Sequence, residues 1–142
     1  MAILSTKSLT ILAECHQDLQ ILVKRAIRYI DFSVDEAHRG KDVQEAHFAA
    51  GRSKVHFPNS KHNLWPAEAV HLLPYPEKWQ ADQRRWYYLG GIIVTLGDIL
   101  YEAGETGHRI RWGGDWDSDD TFADQTFHDL AHFELDSGIG TG

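Results

Sequence analysis

Ser60-Lys61-His62-Asn63-Leu64-Trp65-Pro66-Ala67-Glu68-Ala69-Val70-His71-Leu72-Leu73-Pro74-Tyr75 carries two imidazoles on either side of a Trp-Pro turn that leads into an apolar run. In a strand, successive side chains point to opposite faces, so Ala69, His71 and Leu73 share one face and Val70, Leu72 and Pro74 the other. His71 therefore need not enter the core with Val70 and Leu72. The same parity applies to Asp129-Leu130-Ala131-His132-Phe133-Glu134-Leu135, where His132 and Glu134 share a face and Phe133 and Leu135 are buried on the other. Two such strands can aim three imidazoles at one point.

A catalytic zinc usually takes three protein ligands from His and carboxylates and leaves its fourth position to water. His62, His71 and His132 are the candidate ligands, and Asp129, three residues before His132, is the candidate base. Nine His in 142 residues make some pairs coincidental, and on spacing alone polar surface is the commoner outcome.

With 42% hydrophobic residues the chain can bury one sizeable core, and a single domain over residues 1–136 with a flexible tail over 137–142 is expected. The net charge of −7 opposes a nucleic-acid binder, which needs a basic stripe to neutralise phosphates. Lone Cys15 forms no internal disulfide and reads as a small core residue. The first twelve residues lack the basic and apolar regions of a signal peptide, and no run reaches the roughly 18 apolar residues of a membrane span. No membrane insertion and cytoplasmic synthesis are expected.

Ser8 reads as an N-cap, and Leu9, Leu12, Leu19, Leu22, Val23, Ala26, Ile27 and Ile30 form the stripe of an amphipathic helix running to about Ile30. A short strand follows over 31–38, then a helix over 41–50 closed by Gly51. The polar loop 51–63 receives no chemistry of its own except at Ser60, whose hydroxyl, two residues before His62, can hold the imidazole or a substrate carbonyl. Residues 82–103 read as the central buried helix, and the cost of Gly90-Gly91 inside it, roughly 1 kcal/mol per Gly, implies close packing against a neighbour. Arg109 to Trp112 reads as a strand that turns at Gly113-Gly114 into Asp115-Trp116-Asp117-Ser118-Asp119-Asp120. Asp115, Asp117 and Asp119 alternate as calcium ligands do, but without the glycine and terminal glutamate of a full calcium loop a solvated acidic turn is favoured. The fold class is α+β: a small antiparallel sheet packed against about three helices.

Ser60-Lys61-His62, Ala69-Val70-His71-Leu72-Leu73-Pro74-Tyr75, Ile110-Arg111-Trp112-Gly113-Gly114-Asp115-Trp116 and Asp129 to Leu135 together resemble the zinc peptidases of the D-alanyl-D-alanine carboxypeptidase and L-alanyl-D-glutamate endopeptidase type, most closely the small phage endolysins. The resemblance spans roughly residues 8 to 135. It implies a hedgehog/D-Ala-D-Ala peptidase-like fold, a zinc ion, and hydrolysis of the peptidoglycan stem peptide between L-alanine and D-glutamate. Arg39 and Gln44 match the Arg and Gln of the family's strand-to-helix motif, so Arg39 is expected to face the cleft and offer its cation to an oxyanion or a substrate carboxylate. Trp112 and Trp116 are candidate cleft walls, with aromatic core as the alternative for both. An endolysin made in the host cytoplasm reaches the wall only after another protein permeabilises the membrane. A monomer is expected.

One position departs from the family pattern: His71 stands where the family carries an aspartate ligand. That departure supports one alternative, a metal-binding but catalytically impaired homologue; a second alternative keeps the enzyme but changes the bond, as a D-alanyl-D-alanine carboxypeptidase. A His-Asn nuclease read from His62-Asn63 and His71 is disfavoured by the acidic charge.

Overall fold

The computed structural model describes residues 2–119 and 129–137. Four strands, β1 (Phe32–Glu36), β2 (Ala69–Pro74), β3 (Ile110–Gly113) and β4 (Asp129–Leu135), form one antiparallel sheet in the order β1-β2-β4-β3. Among the described residues four α-helices accompany it: α1 (Thr6–Leu12), α2 (Gln17–Ala26), α3 (Lys41–Ala49) and α4 (Gln83–Glu102). This is the α+β arrangement expected, with one helix more than anticipated.

The extra helix comes from a break in the stripe expected to run unbroken to Ile30. Chain pairing wins locally over helical periodicity. His16 N–H donates to the Ala67 carbonyl at 2.8 Å and Ala67 N–H donates to Glu14 at 2.9 Å, so backbone groups that a continuous helix would use internally tie the N-terminal segment to the turn after His62. His16 restarts the helix by accepting from Asp18 N–H through Nδ1. The cap of α1 is Ser5, not Ser8. Ser8 lies one turn in, buried, and its hydroxyl accepts from Val34 N–H at 3.0 Å, tying α1 to β1.

Val70, Leu72, Phe133 and Leu135 point from the middle strands into the main core, where they meet Leu19, Leu22, Val23 and Ala26 of α2 and Leu89, Ile93 and Leu100 of α4. The parity of β2 and β4 follows the alternation of the sequence. Cys15 lies in the same core, and burial pushes its thiol up to about 12, so it is a packing group without thiolate chemistry. Among the described residues no helix is long and apolar enough to cross a membrane.

Gly90 has a steric reason and Gly91 has none. A Cβ on Gly90 would fall 2.2 Å from the Trp112 ring, whereas one on Gly91 would meet nothing within 4 Å. Trp112 is 4% exposed, lies parallel to Phe133 at 6.2 Å between ring centroids and donates from Nε1 to the Leu130 carbonyl at 2.9 Å. Gly90→Ala should therefore cost about 1–3 kcal/mol by overpacking, while Gly91→Ala should gain about 0.5–1 kcal/mol from helix propensity. Urea unfolding of the two variants checks the opposite signs.

Candidate active site and metal centre

Three elements deliver the three imidazoles. Ser60 caps a single 3₁₀ turn, Lys61–Asn63, in a reciprocal capping box with Asn63, and this presents His62. His71 and His132 face each other across the β2–β4 ladder as register partners. All three are buried, at 1%, 8% and 7% exposure. Their ring centroids lie 4.7 Å (His62–His71), 5.0 Å (His62–His132) and 5.6 Å (His71–His132) apart.

Hydrogen bonds decide which nitrogens are offered. His62 Nδ1 lies 2.6 Å from the Ala37 carbonyl, which fixes the proton there and turns Nε2 inward. His132 Nε2 lies 2.8 Å from Glu134 Oε1, which leaves Nδ1 inward. The two inward nitrogens are 3.2 Å apart. Two nitrogens each about 2.05 Å from a tetrahedral ion lie roughly 3.3 Å apart, so the pair is spaced as zinc ligands are. His71 Nε2 is buried without a hydrogen-bond partner. One ligand atom from each His lies within 4.8 Å of the others. Burial, helped by the neighbouring imidazoles, holds His62 and His71 well below the ordinary histidine range, so both are neutral and able to ligate at neutral pH. The donor set thus fits a borderline cation that accepts nitrogen, with outer contacts of the kind that orient metal-bound histidines.

Two carboxylates reach the site against strand parity. In a regular β4, Asp129 would share the core face with Phe133. However, the β3–β4 register shifts between Trp112 and Gly113, so Gly113 pairs with Asp129 and the carboxylate turns to the imidazole side. Only glycine fits at 113, because a Cβ there would lie 2.0 Å from the Asp129 carbonyl. Asp129 Oδ2 comes to 3.8 Å from His71 Nε2, and burial raises its pKa above the ordinary aspartate value. On the opposite edge, a second shift between Val34 and Glu36 pairs Glu36 with His71 instead of burying it beside Val34. Glu36 Oε1 then lies 3.6 Å from His71 Nδ1 and 2.5 Å from Arg39 Nη2. Bulges beside active sites re-aim side chains in this way.

Arg39 is 5% exposed and also donates to Gln44 Oε1 at 3.0 Å, while its Nε has no hydrogen-bond partner. The cleft beside the imidazoles is lined by Arg39, Ser60, Trp116 and Asp129 among others. The Ser60 hydroxyl accepts from His62 N–H at 3.2 Å, so it holds the backbone of that residue and not its ring. Trp116 packs at 5.3 Å from the His132 ring. Trp112 is the correction: it sits in the core beneath Gly90, away from the cleft, because its indole fills the gap between α4 and Phe133. Parity and spacing assign no role to Glu36, Lys61 or Arg111, yet Lys61 and Arg111 line this cleft together with the loop residues Ser53 and Lys54, and Glu36 lines its neighbour. Asp115, Asp117 and Asp119 converge too, with one oxygen of each within 4.8 Å of the others, while Asp120 and the tail beyond residue 137 fall outside the described residues.

The family model of the phage L-alanyl-D-glutamate peptidases matches residues 1–136. The chain belongs to this family. It is a cell-wall peptidase of the L-alanyl-D-glutamate type, which sets aside the D-alanyl-D-alanine carboxypeptidase alternative. Among solved structures, the L-Ala D-Glu endopeptidase ChiX of Serratia marcescens is similar in fold, with a TM-score of 0.69 and 24% identity over 94% of this chain and 90% of that one. No curated protein sequence matches the peptidase.

Proposed function

We propose that the peptidase is a zinc endolysin that cuts the peptidoglycan stem peptide between L-alanine and D-glutamate, with His62, His71 and His132 as ligands and Asp129 as general base. The observation that carries it is the convergence of three imidazoles: His62 and His132 each spend one nitrogen on a protein acceptor and face each other with the other at 3.2 Å, and a ligand atom of His71 lies within 4.8 Å of both. When bound, zinc supplies a Lewis acid for the scissile carbonyl and lowers the pKa of a water to about 7. Asp129 takes the proton of the attacking water and delivers it to the leaving amine, a task that its raised pKa favours. Arg39, held by Glu36 and Gln44, offers its cation to the negative charge that develops on the carbonyl oxygen. Ser60 shapes the His62 turn at the cleft wall, and Trp116 packs against substrate. The chain acts as a monomer and a single domain over 1–136 and reaches the wall through a membrane lesion made by another protein. Asp115, Asp117 and Asp119 are read as a solvated acidic turn with calcium as the alternative, and a rise of the Tm on adding calcium would decide for the ion.

Metal analysis joined to mass spectrometry of a muropeptide digest tests the proposal. One zinc per chain and fragments ending in L-alanine are expected. A metal-free chain that still cleaves, or fragments cut elsewhere, would remove it.

His71 decides whether the site runs at full rate. Its Nδ1 faces Glu36, and Nε2 is the atom turned toward Asp129. Ligation through Nε2 holds an ion about one ring width farther out than an aspartate oxygen does, and a misplacement of about 1 Å can cost about 10²-fold in rate. His71→Asp should keep zinc and raise peptidoglycan hydrolysis several-fold above the parent. Equal or lower activity would mark His71 as an adapted ligand or no ligand, and a metal-edge diffraction map of the parent separates those outcomes.

A further inference from the structure

The cleft has two lobes of opposite charge that share Arg39, Arg52 and Asp129 as common walls. On one side lie Lys54, Lys61 and Arg111 with the carboxylate of Glu134. Lys61 Nζ and Arg111 Nη1 stand 3.4 Å and 3.7 Å from the same Glu134 oxygen, Arg111 Nε donates to the Trp116 carbonyl at 2.7 Å, and Lys54 lies at the exposed rim. On the other side lie Asp35 and Glu36, with His71, His47 and Trp79. Burial lowers the pKa of His47, so it does not offset those carboxylates at neutral pH. A cationic lobe in a chain of net charge −7 concentrates field where an anion would bind.

Cleavage after L-alanine leaves the glutamyl residue on the amine side of the scissile bond. A glutamyl residue has two carboxyl groups, and whichever continues the peptide, the other remains. Building on the peptidase reading above, we propose that the cationic lobe is the subsite for that remaining carboxylate, with Lys54 and Arg111 as the residues that read it. The glutamyl side then lies over Lys54, Lys61 and Arg111, and the alanyl side lies toward Trp79, away from the cations. This fixes the direction of the peptide across the three histidines. It also makes the enzyme selective for glutamyl over its carboxamide, because the amide offers no charge to the lobe.

Two synthetic peptides test this with the full zinc-supplemented chain: one with the glutamyl carboxylate free and one with the same group as a carboxamide. A charge-assisted contact of ordinary strength implies about tenfold or more in kcat/KM favouring the carboxylate, carried mainly in KM. Lys54→Ala should shrink that ratio several-fold and Lys54→Glu should bring it near one, in proteins whose unfolding midpoints match the parent. Added salt should shrink it in the parent. Equal cleavage of both peptides by the parent, or a ratio unchanged in both Lys54 variants, would overturn the subsite while leaving the peptidase reading intact. Cleavage of neither peptide would remove the reading underneath, and the subsite with it.

Discussion

Asp129→Asn should leave the fold and the zinc content unchanged and slow peptidoglycan hydrolysis by about 10²-fold or more, the usual scale for a positioned acid–base group. The amide is nearly isosteric with the carboxylate, so the close approach of Gly113 to the Asp129 backbone persists. What it loses is the capacity to accept a proton. Asp129 is suited to that role because burial raises its pKa while its oxygen stays beside the inward nitrogen of His71. Glu134 is the next acid along the strand, but it is 1% exposed and engaged by His132, Lys61 and Arg111. Steady-state rates on purified cell walls, with zinc measured on the same samples, check the prediction. Activity within a few-fold of the parent would place the base elsewhere.

The way Asp129 reaches the site explains what the sequence shows and what it hides. Period-two alternation in 69–74 and 131–135 places Val70, Leu72, Phe133 and Leu135 in the core and His71 and His132 opposite, since a strand has no other way to bury one face. The helical stripe expected over 82–103 is equally legible, and the structure closes it with a cap at Asp82 and a positive φ at Gly104. Alternation fails at Glu36 and Asp129, because each sits beyond a register shift that turns its side chain over. The signal for one shift is present in retrospect: Gly113 is the only residue small enough to let the β4 backbone approach. Nothing comparable marks Asp35. The break between α1 and α2 escapes for a different reason, since the stripe continues through it and the competing hydrogen bonds come from Ala67, more than fifty positions away. Trp112 shows the limit of composition, because an indole suits a cleft wall and a core equally until its neighbours are known.

Removal of an imidazole should have the largest effect of all. His132→Ala and His62→Ala should each lower zinc well below one per chain and bring hydrolysis to background, since two ligands hold the ion far less tightly than three and expose it to solvent. The two variants should differ in stability without metal. His62→Ala leaves the Ala37 carbonyl, a neutral acceptor, to find water through the opened cavity. His132→Ala removes the partner of Glu134 Oε1, while Oε2, among the described residues, lacks a hydrogen bond and has the cations of Lys61 and Arg111 nearby. A buried charged group stripped of such a contact costs about 1–3 kcal/mol, so His132→Ala should unfold at lower urea than His62→Ala when both are stripped with chelator. Adding zinc should raise the midpoint of the parent far more than that of either variant. Metal analysis of dialysed protein, read beside the unfolding curves, separates loss of the ligand from loss of the fold. Full zinc occupancy in both variants would show that the ion sits away from these imidazoles.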